Sequence, residues 1–443
     1  MRRTSVRPEN DPRLENTVPA RPTTQRIALL CACLLAVALA SGCSKGAGGS
    51  ASTVSGTASS AGAASATGSS APKGAEAQAT SGAASATGSG AATGAAAAQA
   101  GAATPQSGPD SLQPPSYEGY EPLVSFTYHH VDPKLVNEIT ITPATFEAQL
   151  KAMKAAGYQT VTARELLKHQ TDGTPLPPKP VMLTFDDGWR NQYTYAAPLL
   201  DKYGYKGVFF INPQSIGTYP AYMTRAMIES LDTRGHDIES HTWQHLRLTR
   251  KRDVSAATFQ KRMKRQFTLS DAWIKSVTGK KPVALCYPFG FYDTETVAFA
   301  GANGYKLAFT VDEGIADARP WDAMVMKRFT MQRVYSLATF KSLLNAAPLQ
   351  VRDIQPGPGS RVVGLATTIR VDITDVPASV KGIKIYGGPS VKATTISQKD
   401  GRRFAAAPLV KSAVGLKAIT LKAHDTAGRK YFASWVLTMG DLK

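Results

Sequence analysis

Cysteine is scarce in this chain of 443 residues: there are four, at positions 31, 33, 43 and 286. Three fall within the first 43 residues, so Cys286 stands alone in any folded part and an intrachain disulfide there is excluded. Histidine is also sparse, with seven copies at 129, 130, 169, 236, 241, 245 and 424, so any clustering among them is informative. The conspicuous apolar run, Ile27 to Ala40, is shorter than the ~20 residues that span a bilayer. Large apolar residues are almost missing from Ser44 to about Pro109, which excludes a packed core from that stretch. Acids are outnumbered by bases, 33 against 51, for a formal charge of +18. That excess suits a polyanionic surface, but its densest stretch, Thr249 to Phe267, reads as a solvated helix face, and nucleic acid is not expected as a partner.

An Arg-bearing leader, Met1 to Arg26, precedes the apolar run, and small residues follow it. That is the pattern of a signal peptide. Leu39-Ala40-Ser41-Gly42-Cys43 resembles a bacterial lipobox, which implies acylation of Cys43. The expectation is an exported protein, lipid-anchored to a bacterial membrane and facing the periplasm or the exterior. Residues 1–43 would be the signal, and 44–112, where GAASATGS occurs at 62–69 and again at 82–89, a disordered tether.

From 113 to 350 short apolar, β-prone segments alternate with amphipathic helical ones. The strands expected are 123–128, 181–185, 207–211, 237–240, 283–287, 307–311 and 324–329; helices are expected at 145–156, 191–203 and 336–345. Alternation of this kind builds a parallel sheet covered on both faces, and the length fits an α/β fold of the (β/α) barrel type with fewer than eight units. Chemically capable residues gather after the strands: Tyr128-His129-His130, Asp186-Asp187-Gly188-Trp189, His241 to His245, and Pro288 to Asp293. Strand ends are where such a barrel places its active site.

His241 and His245 are four apart, so if the chain turns into a helix after the strand they share one face and can grip one metal ion, with Asp187 as a third ligand. Two histidines and one carboxylate leave coordination positions open, as in a catalytic site. Asp186, its charge made less costly by the nearby cation, is then free to act as general base.

Thr184-Phe185-Asp186-Asp187-Gly188, Ser240 to His245 and Tyr287-Pro288-Phe289-Gly290 resemble the first three motifs of the NodB-homology polysaccharide deacetylases, carbohydrate esterase family 4. The resemblance implies a distorted (β/α) barrel that removes acetyl groups from glycans with one divalent metal ion, zinc in the first place and cobalt, nickel or iron(II) otherwise. It also implies Asp186 as base, Asp187, His241 and His245 as metal ligands, and the Phe289 N–H as oxyanion donor. Two departures stand out. Cys286 occupies the position where many members have an arginine that orients the base, and Arg328 is a candidate replacement. The late histidine that serves many members as acid is missing, since after His245 only His424 remains. The Tyr128-His129 pair is similar to that of secreted deacetylases acting on poly-β-1,6-N-acetylglucosamine, which implies His129 as the acid, with His130 on the opposite side if the strand continues. Trp189, Trp243, Phe291 and Tyr292 are candidate sugar platforms, with Arg328 also a candidate substrate contact.

Residues 351–443 alternate apolar and polar positions at 367–376, 381–386, 415–425 and 430–439, with a turn at Asp425 to Gly428. A small antiparallel, immunoglobulin-like β-sandwich is expected. The function expected is N-deacetylation of an extracellular polysaccharide, most simply poly-β-1,6-N-acetylglucosamine of a biofilm matrix, with exopolysaccharide export machinery as a further partner. The alternatives are a deacetylase of chitin-like or peptidoglycan chains, a non-catalytic glycan-binding lipoprotein, or an iron oxygenase built on the same ligand set.

Overall fold

The computed structural model describes residues 122–251, 253–316, 322–363, 366–410 and 415–440. The leader, Cys43 and the Ala/Gly/Ser/Thr tract lie outside the described residues.

Eight short strands form one sheet: β1 (Val124–Tyr128), β2 (Gln159–Thr160), β3 (Pro180–Asp187), β4 (Val208–Ile211), β5 (Asp237–Ser240), β6 (Ala284–Cys286), β7 (Leu307–Phe309) and β8 (Phe329–Thr330). Their order is β8-β1-β3-β4-β5-β6-β7, with β2 on β3, and every pairing is parallel. Met326, just ahead of β8, makes a parallel bridge to Phe309 of β7, so the sheet curls as a (β/α) barrel requires.

Side-chain alternation fixes which groups face the interior. Along β3, Val181, Leu183 and Phe185 join the core under the helices, while Met182 packs with Phe210, Cys286 and Phe309 on the other face. Asp186 follows Met182 and Thr184 at the period of two and so belongs to the inner face. Helices cover the outside and are capped by their own sequence. Thr142 accepts the Thr145 N–H ahead of Pro143–Ala155, Thr162 and Glu165 form a capping box, and Gly279 ends Ala256–Thr278 in a left-handed conformation. The helical segment expected at 191–203 opens instead as a π-helical turn, Gln192–Ala196, before Ala197–Tyr203.

The C-terminal region forms two further sheets. Arg352–Gln355, Ala366–Asp372, Arg402–Val410 and Thr395–Lys399 make one. Lys430–Met439, Gly415–His424 and Lys381–Tyr386 make the other, joined by Ala347–Pro348 and Arg361–Val362. Ile369, Val371, Ala405 and Leu409 of the first sheet share one apolar core with Ile419, Leu421, Trp435 and Leu437 of the second. The expectation of a purely antiparallel region is corrected, because Ala347–Pro348 and Arg361–Val362 both pair parallel to Lys430–Met439. The chain arriving from the barrel runs alongside that last strand. Phe432 and Val436 of the same strand pack into the barrel's clusters, Phe432 edge-on to Phe329 at 5.1 Å.

Candidate metal centre and active site

β3 brings two carboxylates to one strand end, and the backbone separates them. Asp187 has φ 79°, a left-handed value that turns its side chain off the course the strand would give it. Gly188 follows at φ 77°, and a Cβ there would meet Ile216 Cδ1 at 2.9 Å. Asp186 therefore points into the barrel while Asp187 turns toward the loop after β5.

Asp187 Oδ1 lies 3.4 Å from His241 Nε2 and 3.3 Å from His245 Nε2, and its Oδ2 accepts the Trp189 indole N–H at 2.9 Å. One donor atom from each of the three residues falls within 4.8 Å of the others, and the carboxylate–imidazole chemistry fits a divalent ion. His241 Nδ1 donates to the Cys286 carbonyl at 2.8 Å, which leaves Nε2 as the ligating nitrogen. Burial opposes the imidazolium of His241, yet the neighbouring Cys286, Asp187 and Asp186 outweigh it and hold its pKa well above the usual value. Burial lowers His245 to about 4. Burial would raise Asp187, but the hydrogen bond with His241 and the charges of His245 and His129 hold it well below the ordinary carboxylate range.

Asp186, 1% exposed, is gripped by Arg328, which is wholly buried. Nη1 donates to Oδ1 and Nη2 to Oδ2, both at 2.8 Å, the fork geometry that an arginine offers a carboxylate. The same guanidinium donates to the Thr310 carbonyl, to Thr184 Oγ1 (each 2.8 Å) and to Cys286 Sγ at 3.1 Å. Burial alone would raise the Asp186 pKa; the Arg328 charge and hydrogen bonds lower it on balance.

The loop after β1 closes the other side. The strand ends at a bend at His129, so the condition for placing His130 on the opposite side, a continuing strand, is not met. Its ring lies 4.6 Å from that of Trp189, which stacks on Tyr222 at 4.2 Å. His129 is partly buried, and its Nδ1 has no partner among the described residues. Gln192 Nε2 donates to the His129 carbonyl at 2.8 Å and to the Asp186 carbonyl at 2.6 Å, tying the two strand ends together.

Other expectations change as well. Residues 241–248 are not helical; His241 directly follows β5, Thr242 and His245 take left-handed φ values of 66° and 55°, and the imidazoles meet at 4.6 Å by loop geometry. Tyr292 is 1% exposed and donates to Asp312 at 2.7 Å, so it is core, as is Phe291. Arg328 is wholly buried against Asp186, so it is no surface contact for a substrate. Trp243 is partly buried, and its carbonyl accepts the Gln214 N–H at 3.2 Å. Phe289 is 44% exposed at φ 59°, its ring edge-on to His245 at 4.3 Å. Among the described residues seven non-glycines have positive φ, and Asp187, Thr242, His245 and Phe289 are four of them. Strain concentrated at one place is what a preorganised site requires. Sequence reading missed Gln192, which carries no motif; the available sign for Arg328's place was a cation inside the apolar run 324–329.

Residues 173–308 match the family model described as polysaccharide deacetylase. The chain carries a polysaccharide deacetylase domain. Over 180 residues it is 32% identical to the putative polysaccharide deacetylase YxkH of Bacillus subtilis (strain 168), covering 41% of this chain and 62% of that protein. Over 249 residues it is 21% identical to the poly-beta-1,6-N-acetyl-D-glucosamine N-deacetylase of Escherichia coli (strain K12), covering 48% and 37%. Over 133 residues it is 31% identical to a chitin deacetylase of Pestalotiopsis sp, covering 29% and 41%. The chain thus spans less than two thirds of each of these relatives.

Proposed function

We propose that the chain is a metal-dependent N-deacetylase of an exported N-acetylated polysaccharide. The observation that carries the reading is a buried carboxylate, Asp186, held by Arg328 beside a separate donor set, Asp187, His241 and His245. Bound to that set, a divalent metal such as zinc would polarise an amide carbonyl as a Lewis acid and make water a stronger acid.

The chain's own residues do the rest. Asp186 takes the proton from the attacking water, and Arg328 keeps its carboxylate ionised and aimed. The Phe289 N–H stabilises the oxyanion. His129 gives a proton to the departing nitrogen, so that amide and water become amine and acetate. Gln192 fixes His129 and Asp186 relative to each other. Trp189, stacked on Tyr222 and tilted against His130, supplies an apolar wall for a sugar ring. Cys43 anchors the protein to its membrane, residues 113–350 form the catalytic unit, and the C-terminal sheets form an immunoglobulin-like module.

Relatives named for two glycans bear on the substrate, and the Tyr128-His129 pair favours a β-1,6-linked N-acetylglucosamine polymer. The test is acetate release by the purified, zinc-loaded chain from β-1,6- and β-1,4-linked N-acetylglucosamine oligomers. Faster release from the β-1,6 oligomer is expected. Release from the β-1,4 oligomer alone would move the substrate to chitin-like or peptidoglycan chains, and release from neither would leave a glycan-binding protein.

A further inference from the structure

The loop carrying the two histidines and the loop 286–292 face each other rung by rung. His241 meets the Cys286 carbonyl at 2.8 Å, His245 meets the Phe289 ring at 4.3 Å, and Arg247 meets Phe291, its guanidinium carbon 3.8 Å from the ring centroid. The first rung is buried and the third reaches solvent, so Arg247 stands just outside the candidate metal centre. Its partners set it apart from its neighbours. Arg328 holds Asp186, and Arg250 holds Glu295 at 3.0 Å, whereas among the described residues no carboxylate lies within ion-pair distance of Arg247. Phe291, 4% exposed, holds the guanidinium against one face, which lowers the entropy lost when its N–H groups engage a ligand.

We infer that Arg247 is a specificity-determining residue that binds an anionic substituent, a carboxylate or a phosphate, carried by the polysaccharide beside the acetamide to be cleaved. A planar, charged fork with free donors is suited to such oxyanions. The inference rests on the deacetylase reading and narrows its substrate class.

The experiment compares a neutral N-acetylglucosamine hexamer with the same hexamer bearing one carboxylate (a lactyl ether) or one phosphate ester. Acetate release gives kcat/KM on the zinc-loaded chain, and calorimetry on the Asp186→Asn chain gives Kd. The expected preference for an anionic hexamer is about tenfold, the scale of one charge-assisted pair at an exposed site. It falls to about one in Arg247→Gln and to an intermediate value in Arg247→Lys, which keeps the charge but not the fork. Whichever hexamer shows the larger ratio identifies the anion. A ratio near one for both hexamers in the unmodified chain, or a ratio unchanged in Arg247→Gln, overturns the inference. If the binding preference holds while no acetate appears, the subsite stands and the deacetylase reading falls; acetate without preference in either readout has the opposite meaning.

Discussion

At the scale of single residues, the arrangement turns on how an ionised Asp186 is kept inside a barrel. Placing a carboxylate and a guanidinium out of water costs several kcal/mol per ion, and only good geometry with further hydrogen bonds repays it. Arg328 meets that demand by satisfying both Asp186 oxygens, Thr184, Thr310 and Cys286 at once. The small side chain of Cys286 leaves room for this, and its thiol, 3.4 Å from Asp186 Oδ2, completes the cluster. Arg328→Lys keeps the charge and loses the fork. We expect it to cost about 1–3 kcal/mol, since it strands buried acceptors. Less support for the carboxylate raises the Asp186 pKa, so the acid limb of the pH–rate profile moves to higher pH. Urea unfolding and kcat measured from pH 5 to 9 check both; an unmoved limb would make Arg328 purely structural.

At the scale of elements, the site depends on turns that glycine permits. Gly290 sits at φ 70°, and a Cβ there would come within 2.1 Å of Val311 Cγ2. Gly290→Ala therefore combines about 1–3 kcal/mol of backbone strain with a direct clash. We expect a lower Tm and a displaced Phe289, seen as weaker zinc binding. Adding Val311→Ala should return the part due to the clash and leave the strain. A double variant no better than the single one would contradict this geometry. The same turns explain what sequence could convey. An apolar run ending in two acids marked β3 and its polar end, because hydrophobic burial on both faces of a parallel strand leaves that pattern. The shape of the loop holding His241 and His245 was not legible, because a spacing of four satisfies a helix as well as a folded-back loop with two left-handed residues. Tyr292 was misplaced for a related reason: an aromatic beside a motif looks available until its hydroxyl is seen bonded to Asp312.

At the scale of the whole molecule, the C-terminal sheets are docked on the barrel. Val436 and Phe432 are buried in barrel clusters, Leu349 N–H donates to the Phe432 carbonyl at 2.7 Å, and Lys422 pairs with Glu313 at 2.6 Å. The four strands read from alternation were legible, but Arg402–Val410 and Thr395–Lys399 were not, since the Ala-rich RRFAAAPLV and the wholly exposed TISQK lack a clear apolar period. Which face of the last strand meets the barrel depends on contacts remote in sequence, and no local pattern carries that.

The most direct measurement is acetate release, together with bound zinc per chain, for the zinc-loaded, chelator-stripped and zinc-restored protein and for Asp186→Asn and Asp187→Ala. Stripping should abolish release and zinc should restore it. Asp186→Asn should keep one ion and lose activity by at least about a hundredfold, the scale of a general base, while Asp187→Ala should lose both ion and activity. Undiminished release from the stripped protein or from Asp186→Asn would contradict the account.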